Sequence, residues 1–197
     1  FTKYNQYESL VLPLVKWLED HGVQFRYGVE VTDVDFDIRP GARQATRIHW
    51  IEDGAEGGVD LTRNDLVFLT IGSLTENSDN GDHKTPAKLN EGPAPAWDLW
   101  RRIAAKADDF GRPDVFGAHI PETKWESATV TTLDARIPEY IHRIAKRDPL
   151  SGKVVTGGIV TAKDSSWLMS WTVNRQPHFK KQPKDQVVVW VYALFVD

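Results

Sequence analysis

The chain has 197 residues, enough for one sizeable core or two small ones, and its make-up of 41% hydrophobic and 26% charged residues is that of an ordinary globular protein. A formal net charge of −4 and a sequence pI near 5.9 argue against general nucleic-acid binding, which needs a basic surface. Having no cysteine, the chain offers no disulfide, thiolate metal site or cysteine nucleophile, and it fits a cytoplasmic location. No apolar run is long enough to span a bilayer, and no signal-peptide pattern opens the sequence.

Leu10, Val11, Leu14, Val15 and Leu18 recur at helical spacing and predict a helix from about Glu8 to His21. Pro13 falls early enough to be tolerated, and Gly22 supplies the left-handed position that ends helices. Val29, Val31, Val34 and Phe36 predict a strand, with Thr46 to Ile51 as its hairpin partner. Asp53-Gly54 and Gly57-Gly58 mark turns, and Leu66 to Ile71 predicts a short, fully apolar, buried strand. From Gly72 to Pro95 the chain is polar and loop-like, and a loop this long inside a domain is usually functional or disordered.

Trp97 to Ala107 and Asp134 to Lys146 predict two further helices. The first carries Asp98, Arg101 and Arg102 on its polar side, and the second aligns Ile137, Ile141 and Ile144. Strands are predicted at Val154–Thr161, Trp167–Val173 and Val187–Phe195, with Gly157-Gly158 reading as a bulge or a close backbone approach. The fold class is therefore α/β, a β-meander and mixed sheet strands packed by helices. The approximate blocks are 1–71 (helix plus meander), 72–96 (loop) and 97–197 (helices and sheet strands). Phe1 at one end and the apolar run to Val196 at the other read as cuts through a longer polypeptide, which makes 1–197 an internal segment.

The densest polar cluster is Thr172-Val-Asn174-Arg175-Gln176-Pro177-His178. Thr172 and Asn174 are two apart at a strand end and so share a face, and Pro177 can turn His178 back toward it. A hydroxyl, an amide and an imidazole together suit a carboxylate, since each donates a hydrogen bond. The same residues would equally serve as an exposed strand end and its loop. Gly72 and Ser73 follow an apolar strand, where backbone and hydroxyls can approach a phosphate or ribose, or simply turn the chain. The six histidines have no metal-ligand spacing, no GxSxG elbow is present, and no GxGxxG follows a strand. Trp167, Trp171 and Trp190 read as core residues.

Several strings, in order and along the whole chain, resemble one family. They are Phe1-Thr-Lys-Tyr-Asn-Gln-Tyr-Glu-Ser9, Gly72-Ser-Leu-Thr-Glu-Asn-Ser78, Lys146-Arg-Asp-Pro149 and Gly152-Lys-Val-Val-Thr-Gly-Gly-Ile-Val-Thr161, with Trp167-Leu-Met-Ser-Trp-Thr-Val-Asn-Arg-Gln-Pro-His-Phe179 and Val189-Trp-Val-Tyr-Ala-Leu-Phe195. They resemble the oleate hydratases, also called myosin-cross-reactive antigens. The resemblance implies part of a flavoprotein of the two-dinucleotide-binding type, whose GxGxxG region and helical C-terminal region lie outside this chain.

It further implies an FAD-dependent lyase that adds water across the cis double bond of oleate, linoleate and similar acids. A glutamate activates the water and a tyrosine protonates the alkene; both are expected upstream, so no catalytic residue is assigned here, Tyr4 and Tyr7 included. By motif position, the resemblance implies that Gln6, Thr172, Asn174 and His178 bind the fatty-acid head group, and that Val31, Gly72 and Ser73 lie beside FAD. It also carries expectations of a homodimer and of peripheral membrane contact for the full-length protein. The alternative is a non-catalytic lipid- or protein-binding module from a truncated gene.

Overall fold

A computed structural model describes residues 2–134, 136–153 and 156–194. The chain groups into two compact units. Unit 1 takes both ends, up to Phe25 and from Lys124 onward; unit 2 is Arg26–Thr123. Helices and antiparallel sheets are mixed throughout, as expected for the class.

Unit 1 opens with a helical stretch, a π-turn over Tyr7–Val11 running into α1 (Leu12–Asp20). Pro13 has no N–H for the carbonyl of Ser9 and its ring crowds that oxygen, so the preceding turn takes the wider geometry in which Leu12 N–H reaches Tyr7 O. Gly22, at φ +87, ends the helix as predicted. None of the residues of α1 is buried.

The rest of unit 1 is a four-stranded antiparallel sheet in the order β4-β7-β6-β5, from β4 (Trp125–Thr132), β5 (Thr156–Thr161), β6 (Ser170–Asn174) and β7 (Val187–Leu194). The expected mixed sheet is thus antiparallel. Of the predicted strands, Val154, Val155 and Phe195 lie outside the described residues. The predicted bulge at Gly157-Gly158 is present as a break in register between Thr156 and Ile159. Helix α4 (Arg136–Ala145) covers one face of the sheet: Ile141, Val173 and Val187 are buried there, with Ile137, Trp171 and Val189 packed around them. Ile144, predicted on the same stripe, is exposed. Because side chains alternate along a strand, Ser170, Thr172 and Asn174 stand on the opposite face.

Unit 2 is built on the predicted meander, β1 (Val29–Arg39), β2 (Ala42–Glu52) and β3 (Ala55–Asp60), in the order β1-β2-β3. Asp53 and Gly54, both at positive φ, make the β2–β3 turn. Gly57 and Gly58, predicted as a second turn, instead lie inside β3 opposite Trp50 and His49. A side chain at Gly57 would overlap the Trp50 indole, so that glycine makes room for its cross-strand neighbour. Helix α2 (Pro95–Ala104), followed by the one-turn α3 (Asp114–Gly117), lays Leu99 and Ile103 against Val34 of β1. Two cations tie the same region to β1: Lys106 Nζ donates to Val34 O at 2.7 Å, and Arg102 Nε to Thr32 O at 2.8 Å.

Leu66–Ile71, predicted as a buried strand, pairs with no strand among the described residues, and Leu66 and Phe68 are 84% and 85% exposed. An apolar strand needs neighbours to satisfy its backbone as well as to cover its side chains. Among these residues only Ile71 reaches the unit 2 core.

Candidate functional site

Unit 1 contains a cavity of about 490 Å³, within the range of small-molecule sites. One wall is the segment 2–7, which carries Asn5 and Gln6; the sheet supplies Thr129, Asn174 and Trp190, and the loop after β6 adds Arg175 and His178. Thr129, Trp190 and Thr172 form one cross-strand row over β4, β7 and β6. No aspartate or glutamate is among the lining residues, whereas Lys3 and Arg175 are; the Glu8 carboxylate lies behind the wall, on Asn5 Nδ2. Tyr4, Tyr7, Phe179 and Trp190 make the rest of it aromatic.

The structure therefore brings Gln6, Asn174 and His178 into one cavity, three of the four residues expected to bind a head group. Thr172 shares the row and the face but not the cavity wall; it is buried, and its Oγ1 has no hydrogen-bond partner among the described residues. Such an orphan hydroxyl costs about 1–3 kcal/mol. Arg175 and Trp190 were missed as lining residues. Trp190, expected in the core, is 47% exposed, because its position in β7 turns it to the face that α4 leaves uncovered. Trp167 is likewise exposed, and only Trp171 packs beside the core.

The backbone of His178 is held from both sides. Its N–H donates to Gln182 Oε1 at 2.7 Å, and its carbonyl accepts from Asn5 N at 2.8 Å and Asn5 Nδ2 at 3.2 Å. Glu8 braces this contact, accepting from Asn5 Nδ2 at 2.6 Å and from Lys180 N at 3.0 Å. Burial lowers the His178 pKa from its ordinary 6.5, and the Glu8 carboxylate opposes that shift. An anion brought against this imidazole would favour its protonated form.

The residues expected beside FAD lie in unit 2. Val31 packs against the Val34–Leu99–Ile103 core. Gly72 is at φ +86, and a Cβ there would stand 3.0 Å from the Trp97 ring. Ser73 caps the short turn Leu74–Asn77, its Oγ accepting from Thr75 N at 3.3 Å. The cradle that a Cβ would fill at Gly72 is thus taken by Trp97. Gly72 is half-buried and Ser73 exposed, so these residues do not by themselves make a complete holding site for a flavin. Gly72→Ala is expected to cost about 1–3 kcal/mol in a denaturant melt. Gly72→Asn, which tolerates positive φ, should recover little of that because its Cβ meets the same ring; full recovery would show that φ alone matters.

A profile of the MCRA family matches residues 1–197. The chain belongs to this family. It is 43% identical over 196 residues to an oleate hydratase of Streptococcus pyogenes serotype M49 (strain NZ131), covering 99% of this chain and 33% of that protein. It is 31% identical over 201 residues to a linoleate hydratase of Lactiplantibacillus plantarum, covering 98% of this chain and 35% of that protein. The chain therefore spans about a third of the length of these curated relatives. Among the described residues, no group of acidic or histidine side chains could hold a metal ion, and no helix is long and apolar enough to cross a membrane.

Proposed function

We propose that this chain is the head-group-binding portion of an FAD-dependent fatty-acid hydratase, a hydro-lyase acting on oleate-like or linoleate-like acids. The observation that carries the reading is the aromatic cavity, with no carboxylate among its lining residues, that gathers Gln6, Asn174 and His178. A carboxylate placed there accepts hydrogen bonds from the Gln6 and Asn174 amides and from protonated His178. The orphan hydroxyl of Thr172 is a further donor beside it. The aromatic wall takes the first methylenes, which lose contact with water at about 25 cal/mol per Å².

Holding one end of a long chain fixes which carbons reach the catalytic groups, so the clamp sets regiochemistry by positioning. Val31, Gly72 and Ser73 are proposed to line the flavin, which when bound supplies a wall of the reaction chamber and no net redox change. We assign water activation and alkene protonation to no residue of this chain.

The test is oleate binding, read from tryptophan fluorescence against pH. The His178 pKa starts below 6.5, and a bound carboxylate raises it. Affinity should therefore be highest below the free value and fall, by up to about tenfold per pH unit, between the free and the bound values. A flat profile would remove His178 from the clamp, and absence of binding would remove the reading. A second reading, a lipid-binding module without chemistry, is favoured by the cavity lying wholly within unit 1. Mass-spectrometric search for a hydroxy acid, with FAD supplied, separates the two.

A further inference from the structure

Two glutamines near the cavity have every polar position of their amides in use. Gln176 is buried; its Nε2 donates to Asn174 O at 2.8 Å and to Val188 O at 3.2 Å, while its Oε1 accepts from Val188 N at 3.2 Å and from Gln182 Nε2 at 2.7 Å. Gln182 also donates to Gln186 O at 2.8 Å, and its Oε1 accepts from His178 N at 2.7 Å and from Phe179 N at 3.3 Å. An amide offers two donors and two acceptor lone pairs, so both side chains are saturated and each has one permitted orientation. Flipping either amide would set donors against donors and acceptors against acceptors.

We propose that Gln176 and Gln182 are positioning residues for the His178 contact, their linked amides carrying the register of β7 onto the His178 backbone. The inference rests on the head-group role given to this cavity. Val188, at one end of the relay, lies two residues before Trp190, so the relay ties the His178 backbone to the strand that carries the aromatic wall. An ordinary solvated loop has no need of such a device, because water satisfies its backbone. With Asn5 on the carbonyl side, both backbone polar groups of His178 are occupied, which leaves its side chain as the polar group it can offer the cavity. Saturated, partly buried networks of this kind rigidify a site, and their loss is felt beyond one bond.

The test is Gln182→Met in the whole chain, which keeps length and apolar volume and removes the amide. The readouts are the oleate dissociation constant by tryptophan fluorescence, the His178 titration by NMR (assigned with His178→Ala) and a thermal melt. The expected result is a cooperative melt, a dissociation constant raised about tenfold, and a His178 titration moving up toward its ordinary value as the freed imidazole meets water. Unchanged affinity and titration would overturn the relay.

A purely structural role would lower the melt and leave the titration of the folded protein in place, which also counts against the proposal. If Gln182→Met does not fold, hydrogen exchange in the unaltered chain decides: protected His178 and Phe179 amides are expected, and exchange at unstructured rates overturns the idea. Should oleate fail to bind the unaltered chain, the head-group role falls while the titration shift still tests the relay. Oleate binding with an inert Gln182→Met leaves the head-group role standing and sinks the relay.

Discussion

His178→Ala is expected to weaken fatty-acid binding by about 10–100-fold at slightly acidic pH, the range for a hydrogen bond to a charged group. The loss should shrink as pH rises, because neutral imidazole donates one ordinary hydrogen bond and contributes no charge. Asn174→Ala should cost less and show little pH dependence, since an amide does not titrate. Ile144→Ala, on the exposed side of α4, is the control expected to change neither. In a hydratase carrying this segment, His178→Ala should also raise KM or broaden the position of hydration, because a loosely held head group lets the chain slide. Equal affinities for His178→Ala and the parent at every pH would remove the imidazole from the site.

Trp97→Ala is expected to be the most damaging single change in unit 2, costing about 3–5 kcal/mol. The ring is 5% exposed and fills the space left by two glycines: a Cβ would come within 3.0 Å of it at Gly72 and 3.2 Å at Gly117. It also stacks on Trp100, which stacks on Phe116. Truncation removes the contact that orders Gly72–Ser73, so the proposed flavin wall should loosen along with the core. Urea denaturation followed by circular dichroism measures the cost, and a change below about 1 kcal/mol would mean that this ring does not close the core. Total stabilities run about 5–15 kcal/mol, so the expected loss puts the cooperative folding of the unit at risk.

Periodicity and turn chemistry made much of the architecture legible. The helix ending at Gly22, the β1–β2 hairpin, the Asp53-Gly54 turn and the bulge beside Gly158 depend on local backbone requirements that particular residues meet. Strand β4 was not predicted. Its sequence, Trp-Glu-Ser-Ala-Thr-Val-Thr-Thr, is polar and almost wholly exposed, and it becomes a strand by pairing with the apolar β7 along its length. Leu66–Ile71 erred in the opposite sense: a strand-like composition gives no strand where no partner lies alongside.

At the site, spacing alone placed Thr172 and Asn174 on one face, and the family resemblance added Gln6 from the far end of the chain. The Gln176–Gln182 relay left no trace in the sequence. Glutamines in a lysine-rich loop look like solvated residues, and saturation of their amides is visible only in three dimensions. Trp190 was misplaced for a related reason. Strand patterning says that a tryptophan alternates, yet not which face of the sheet a helix will cover.

The backbone bond from Asn5 to His178 joins residues 173 positions apart, and the whole of unit 2 is threaded between them. Bringing such distant ends together carries a loop-closure entropy that local hairpins avoid. Closing the cavity therefore costs more chain entropy than forming the meander, whose strands are near neighbours in sequence. Any ligand that binds the cavity favours the closed chain over every open one and acts as a thermodynamic latch on the topology of unit 1.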